Sequence, residues 1–396
     1  MRIHWFLPTA VDGRTLAAGT HGTHGPEPEH DLDPTRSSGA GPARTPSIGY
    51  LTQIALAAEQ AGFDAVLTPT GTWCEDAWLT CAALAQATSR LRFMVAFRPG
   101  LICPTLAAQM AATFQRQTAG RLLLNIVVGG ERDEQARFGD HLSKDQRYAR
   151  ADEFLTVLRG AWSGQPFTFS GQHYDVRDAT VLAAPDPLPR LYFGGSSPAA
   201  GPVAARHADT YLTWGEPPDQ VADKIAHVRN LAGEQGRDMR FGIRFHVVAR
   251  EDTAQAWDAA HALLADLDPR QIERAQNALA ASESTGQARM RALHGYFRAS
   301  GRAADLEISP NLWAGIGLMR GGAGTALVGS HTEVADRIEE YAAMGIDEFI
   351  LSGFPHLEET YWVGEGVLPE LRRRGLWQPA GPSRAGDQRA PAGATP

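Results

Sequence analysis

The strongest chemical signal in the chain is the stretch FGIRFHVVAR. Arg244 and His246 lie two residues apart, so in an extended strand both side chains leave on one face while Ile243, Phe245 and Val247 take the other. If the shared face is interior, a permanent cation and a titratable imidazole are held out of water together. That costs several kcal/mol unless a partner or ligand compensates, which leaves two readings: an anion-binding site, or an internal salt bridge to an Asp or Glu. Arg320 in LMRGGAGT adds a second guanidinium on a Gly-rich segment, where a solvated surface charge is the plainer alternative. Phe354 and His356 follow an apolar run in LSGFPHLEETY. Guanidinium groups match the oxygens of phosphate, carboxylate or sulfonate in pairs, so two arginines and two histidines without an acidic cluster point to a small anionic ligand.

Other polar residues sit where short apolar runs give way to helical patterns. LYFGGSSPAA places Gly195, Ser196 and Ser197 just before a helix, whose free N–H groups can hold a phosphate, although a turn with an N-cap is the commoner use of such a stretch. Asn125 stands among apolar neighbours in LLLNIVVGG, either as a ligand contact or as an amide satisfied by core backbone. Trp214 ends YLTWGEPP, where an indole can stack on a flat cofactor or serve packing alone. Cys74 in TPTGTWCEDAW comes just before Glu75 and Asp76, which are placed to cap a helix. The sequence has no HExxH, CxxC, GxSxG or Walker pattern and no early GxGxxG, so the residues suggest neither a catalytic metal nor a built-in NAD module.

The elements that must position these residues alternate between strand and helix. Strands are predicted over residues 3–8, 65–68, 91–98, 122–128, 190–193, 210–213, 240–248 and 348–351. Helical periodicity fits 50–61, 77–88, 104–119, 148–162, 198–207, 220–234 and 332–344. Eight such strands favour an α/β (β/α)8 TIM barrel over an open sheet, and in a barrel the chemistry lies at the C-terminal strand ends, where the residues above fall. One domain over residues 1–379 is expected, with a mobile loop at 14–49, a hairpin at 167–177, a lid insertion at 253–329 covering the mouth, and a disordered tail at 380–396. The formal charge of -8 and a pI near 5.9 argue against nucleic acid or an acidic membrane surface as partner. No apolar run suits a signal peptide or membrane span, so a cytoplasmic protein is expected, with its three cysteines reduced.

Taken together, WFLPT, the PTG…CEDAW stretch, LYFGGSS, YLTWGEPP, LEISPNLWAG, RGGAGTALVG and SGFPHLEE resemble the alkanesulfonate monooxygenases of the bacterial-luciferase-like flavin superfamily, from the first strand to about Glu359. The resemblance implies an enzyme that takes reduced FMN from a separate NAD(P)H-dependent FMN reductase. With O2 as co-substrate it releases sulfite and an aldehyde from a sulfonate, and it assembles as a homodimer or homotetramer. It matches Arg244, His246 and Trp214 to active-site positions, Arg320 to the arginine of a mobile lid and Cys74 to a cysteine beside the flavin, and His356 joins the expected catalytic set from its own place after the eighth strand. The same resemblance matches Ser196 and Ser197 to a phosphate-binding turn and Tyr148 to a further phosphate contact, and Asn125, Gly195 and Trp214 are expected as cofactor contacts from the residues themselves. Ala10, Thr72, Trp73, Val128 and Phe354 depart from the family pattern, replacing hydrogen-bonding groups and adding an indole. Trp73 and Phe354 are therefore expected to reshape the substrate pocket, away from a short alkanesulfonate. Oxidation of a sulfone, amine or heterocycle on the same fold and cofactor is the alternative chemistry. A non-catalytic flavin- or anion-binding protein is the alternative of a different class, and a deazaflavin-dependent hydride transfer enzyme fits TWGEPP and RGGAGT less well.

Overall fold

The computed structural model describes residues 1–16, 43–265, 267–294 and 302–379. The loop expected at 14–49 falls mostly outside these, as does the tail expected at 380–396. Eight parallel strands close into a barrel: β1 (Arg2–Phe6), β2 (Ala65–Thr68), β3 (Arg92–Phe97), β4 (Leu122–Ile126), β5 (Arg190–Gly194), β6 (Thr210–Trp214), β7 (Arg240–Arg250) and β8 (Glu348–Ser352). Each pairs with the next, and β8 closes on β1 with Arg2 opposite Glu348. All eight predicted strands are present. Among the described residues no helix is long and apolar enough to cross a membrane.

Alternation along the strands sorts the core into two layers. Ile243, Phe245 and Val247 of β7 pack outward with helix residues such as Ile225, Val334 and Ile338, while Phe6, Leu67, Met94, Leu123, Tyr192 and Ile350 fill the barrel interior. The even-numbered residues of β7 thus face inward, as the two-residue spacing of Arg244 and His246 predicts.

Beyond the strands, several elements differ from expectation. The helix Lys144–Ala161 begins at a Ser143/Gln146 capping box, ahead of the predicted start at 148, and so carries Lys144 and Tyr148 one turn apart on one face. After β8 the chain runs through a helix His356–Trp362, a π turn and a helix Leu368–Arg373, which the periodicity missed because Gly364, Gly366 and Pro369 interrupt it. The hairpin predicted at 167–177 forms from Phe167–Ser170 and Asp175–Ala179.

The region predicted as a lid, with helical patterns at 254–267 and 270–281 ahead of a Gly-rich run, forms both helices and adds a third helix and a strand. It holds three helices, Thr253–Leu263, Pro269–Ala280 and Thr285–Leu293, and a strand Ala326–Ser330 inside the segment read as flexible. This strand takes over one edge of β7 where β6 runs out: Trp214 lies opposite Arg244, and Ala326 opposite His246. The substitution of one neighbour for another explains why β7 is so long and why residues 320–325 return across the barrel mouth.

At the opposite, N-terminal end of the barrel the interior charge is balanced. Glu348 is fully buried, faces His4 Nε2 at 2.9 Å, accepts from the Tyr192 hydroxyl at 2.8 Å and lies 3.4 Å from Arg190. Burial alone would raise its carboxyl, but the His4 hydrogen bond and charge, Arg2 and Tyr192 outweigh it and hold the group at about 2. A carboxyl depressed on folding stabilises the protein above its unfolded value of 4.5, and that stability is lost as pH falls toward about 2. We expect the melting temperature of the wild type to fall steeply across that window and Glu348→Gln to flatten the dependence. At pH 7, Glu348→Ala should destabilise by about 3–5 kcal/mol in chemical denaturation, as removal of one member of a buried pair does.

Candidate active site

All eight strands contribute to one cavity of about 330 Å³ at their C-terminal ends. Phe6, Leu67, Ala96, Asn125, Gly194, Leu212, Arg244 and Ile350 line it, one from each strand in order. Trp73, Arg98, Val128, Tyr148 and Trp214 widen the wall toward the rim, and the insertion covers the mouth with Leu279, Ser284, Gln287, Arg320 and Gly322.

The deepest polar groups are the two predicted arginines. The Arg244 guanidinium carbon stands 3.9 Å from the centroid of the Phe6 ring, and that of Arg320 stands 5.3 Å from the same ring and 5.6 Å from that of Phe354. Cation–π attraction of about 0.5–2 kcal/mol per contact offsets only part of the cost of burying each charge. Nε and Nη2 of Arg244 have no hydrogen-bond partner. Burial pulls Arg244 down to about 9, and pulls Arg320 well below its ordinary value, reinforced by the like charge of Arg244 and opposed by Asp12. Among the described residues no ion pair joins either guanidinium to a carboxylate, which favours the anion-binding reading of the β7 signal over the internal salt bridge.

His246 stands behind this pair, off the cavity wall. Because arginine only donates, Arg320 Nη1 donates to His246 Nε2 at 3.3 Å, leaving Nδ1 to meet Ser352 Oγ at 3.0 Å. The imidazole is stacked on Phe354, with centroids 5.4 Å apart and planes 9° apart. Phe354 therefore orients His246 and Arg320 instead of facing the cavity as predicted. His356 is also off the wall: Nδ1 lies 3.0 Å from Asp12 Oδ1, the backbone N–H donates to Asp12 Oδ2 at 2.9 Å, and the ring backs Phe6 and Phe354. Burial lowers His356 against the pull of Asp12. Cys74 lies off the wall as well. Burial pushes its thiol up to about 12, which favours the protonated form, and the thiol donates to Gly71 O at 3.6 Å.

The predicted phosphate cradle is assembled from β5 and the helix Ala200–His207. Gly195 has φ +154°, and a Cβ there would stand 2.8 Å from both the Tyr148 hydroxyl and Ala200 Cβ. Its carbonyl accepts from the Tyr211 hydroxyl at 2.6 Å. Ser197 Oγ is buried without a hydrogen-bond partner and stands beside Ser196 on the cavity wall. Lys144, not singled out from the sequence, lines the same side and donates to Glu283 O and Thr285 Oγ1 at 2.9 and 3.2 Å.

Trp214 is fixed by close packing at the rim. A Cβ on Gly286 would stand 2.9 Å from Trp214 Cζ3, so glycine lets the insertion helix lie directly against the indole. The same helix is latched by Arg289, which donates to both carboxylate oxygens of Glu216 at 2.7 Å, and Gln287 Oε1 accepts from Gly322 N–H at 2.8 Å. This network holds the Arg320 loop over the mouth. Thr72 donates its backbone N–H to Glu134, Val128 lines the cavity and Ala10 is buried off the wall.

The sequence profile of the luciferase-like monooxygenases matches residues 1–348. This chain belongs to the luciferase-like monooxygenase family. Among solved structures it resembles the riboflavin lyase RcaE, determined with modified FMN and its substrate riboflavin, at 20% identity and a TM-score of 0.75 over 97% of this chain and 94% of that one. The long-chain alkane monooxygenase LadA matches at 20% identity and 0.72 over 96% and 92%, and the EDTA monooxygenase EmoA from Chelativorans sp. BNC1 at 17% and 0.69 over 96% and 95%. At these identities the likeness is one of fold.

The luciferase-like wall groups fit a flavin phosphate. The orphaned Ser197 hydroxyl, the Gly195 hollow and the Tyr148 hydroxyl supply donors and room where a phosphate monoester needs them. Gly195→Val should fill the hollow, and titration with FMN should show at least a tenfold loss of affinity while circular dichroism stays that of the wild type. Unchanged affinity would place the phosphate elsewhere.

Proposed function

We propose that this chain is a two-component flavin monooxygenase that oxidises an organosulfonate with oxygen and reduced FMN delivered by a separate NAD(P)H-dependent reductase. The observation that supports this most is the Arg244 and Arg320 pair, two buried guanidiniums facing one cavity without a carboxylate between them. A sulfonate stays anionic at any biological pH and offers three oxygens to the two planar donor sets.

The balance is one sulfonate, one O2 and one reduced FMN giving an aldehyde, bisulfite, oxidised FMN and water. The carbon–sulfur bond breaks, one oxygen atom ends in the aldehyde and the other in water. Reduced FMN, when bound, supplies the two electrons and activates the oxygen. Arg244 and Arg320 bind the anion and stabilise negative charge that develops beside it. His246 and Ser352 fix the Arg320 fork, while the latched insertion helix and Trp214 exclude water from the cavity. Leu67, Leu212, Ile350, Trp73 and Val128 give the wall an apolar part that favours a bulkier organic group than methyl or ethyl.

The test supplies the protein with reduced FMN and oxygen and follows sulfite release over sulfonates from methyl to bulky aromatic. Sulfite is expected, with kcat/KM rising from methane- and ethanesulfonate to larger substrates. Oxygen uptake without sulfite from any member would contradict the sulfonate assignment, and a preference for the smallest would contradict the apolar wall.

A further inference from the structure

Arg98 is a buried cavity residue that the proposed chemistry leaves unused. It follows β3, is 6% exposed and pairs through Nη2 with Glu134 Oε2 at 2.5 Å, yet its Nε and Nη1 have no hydrogen-bond partner. Glu134 Oε1 already accepts from Thr72 N–H, so this carboxylate is shared. Gly129 closes in from the side, where a Cβ would stand 3.1 Å from Arg98 Nη1. Two buried N–H donors without acceptors are costly, and Arg98 faces the cavity. A ligand in the cavity can supply those acceptors.

Strand order says which ligand. In the closed ring β3 lies opposite β7, with the phosphate cradle after β5, midway between them. A molecule anchored at the cradle and reaching the barrel axis has Asn125 and Arg98 on one flank and Trp214 and Arg244 on the other. Arg98 is thus separated from the sulfonate pair and lies on the cofactor side. We propose that Arg98 binds the oxygen-bearing edge of the flavin ring and, being cationic, prefers the reduced form, whose negative charge is spread over N1 and the adjacent carbonyl. The proposal rests on the flavin reading above. The same donors suit a second acidic group on the substrate, and the experiment separates the two.

Purified protein is titrated with oxidised FMN and, anaerobically, with reduced FMN. The Arg98→Lys variant keeps the charge next to Glu134, and the double variant R98M/E134Q removes both charges so that neither is left buried alone. In folded protein the double variant should lose reduced FMN affinity at least tenfold and oxidised FMN affinity less than threefold, with Arg98→Lys between wild type and double variant. Equal losses for both redox forms, or none, overturn the proposal. Unchanged flavin affinity with a raised KM for substrate assigns Arg98 to the substrate and overturns it too. If the wild type binds neither form of FMN, the flavin reading itself has failed.

Discussion

Two buried positive charges with no ion pair to a described carboxylate set the terms for the whole molecule. Arg244 and Arg320 flank the Phe6 ring near the axis, each depressed by burial and Arg320 further by its neighbour. Such an arrangement persists only if the surrounding fold is stable enough to enforce it. The barrel does so by balancing charge at its other end. Glu348, in the first position of β8, gathers His4, Tyr192 and Arg190 across the lower interior, so a similar mix of residues is satisfied below and unsatisfied above. The unsatisfied end is the one where α/β barrels place their chemistry.

The support around the upper pair is layered. Phe354 stacks on His246, His246 accepts from Arg320, and Asp12 holds His356 against the back of Phe6 and Phe354. Above it, Glu216 holds Arg289, and Gln287 holds the backbone of the Arg320 loop. Three residues expected in the catalytic set, His246, His356 and Cys74, back the wall or stand off it in this structure. Orientation of the Arg320 guanidinium is the visible contribution of His246.

Much of this was legible in the residue pattern because strand burial has a period of two. The spacing of Arg244 and His246 fixed their common inward face, and GGSS before a helix marked the cradle with Ser197. Arg98 was missed, although it ends the strand predicted over 91–98, because its partner Glu134 is 36 residues away. The strand Ala326–Ser330 was hidden by the glycines before it, and its pairing with β7 depends on where β6 stops, which local sequence does not encode. Gly286 against Trp214 and Arg289 on Glu216 are long-range contacts of the same kind.

Arg244 is kept at a cost to the fold for the sake of an anion. The most direct measurement is the melting temperature of wild type and Arg244→Met, each with and without a bound sulfonate, read beside turnover. Replacing an unpaired buried cation with an apolar chain of similar length should raise the melting temperature of the ligand-free protein by a few degrees, abolish the stabilisation by sulfonate and remove nearly all turnover. A lower melting temperature in the variant, or wild-type turnover, would show that the guanidinium is structural and contradict the account.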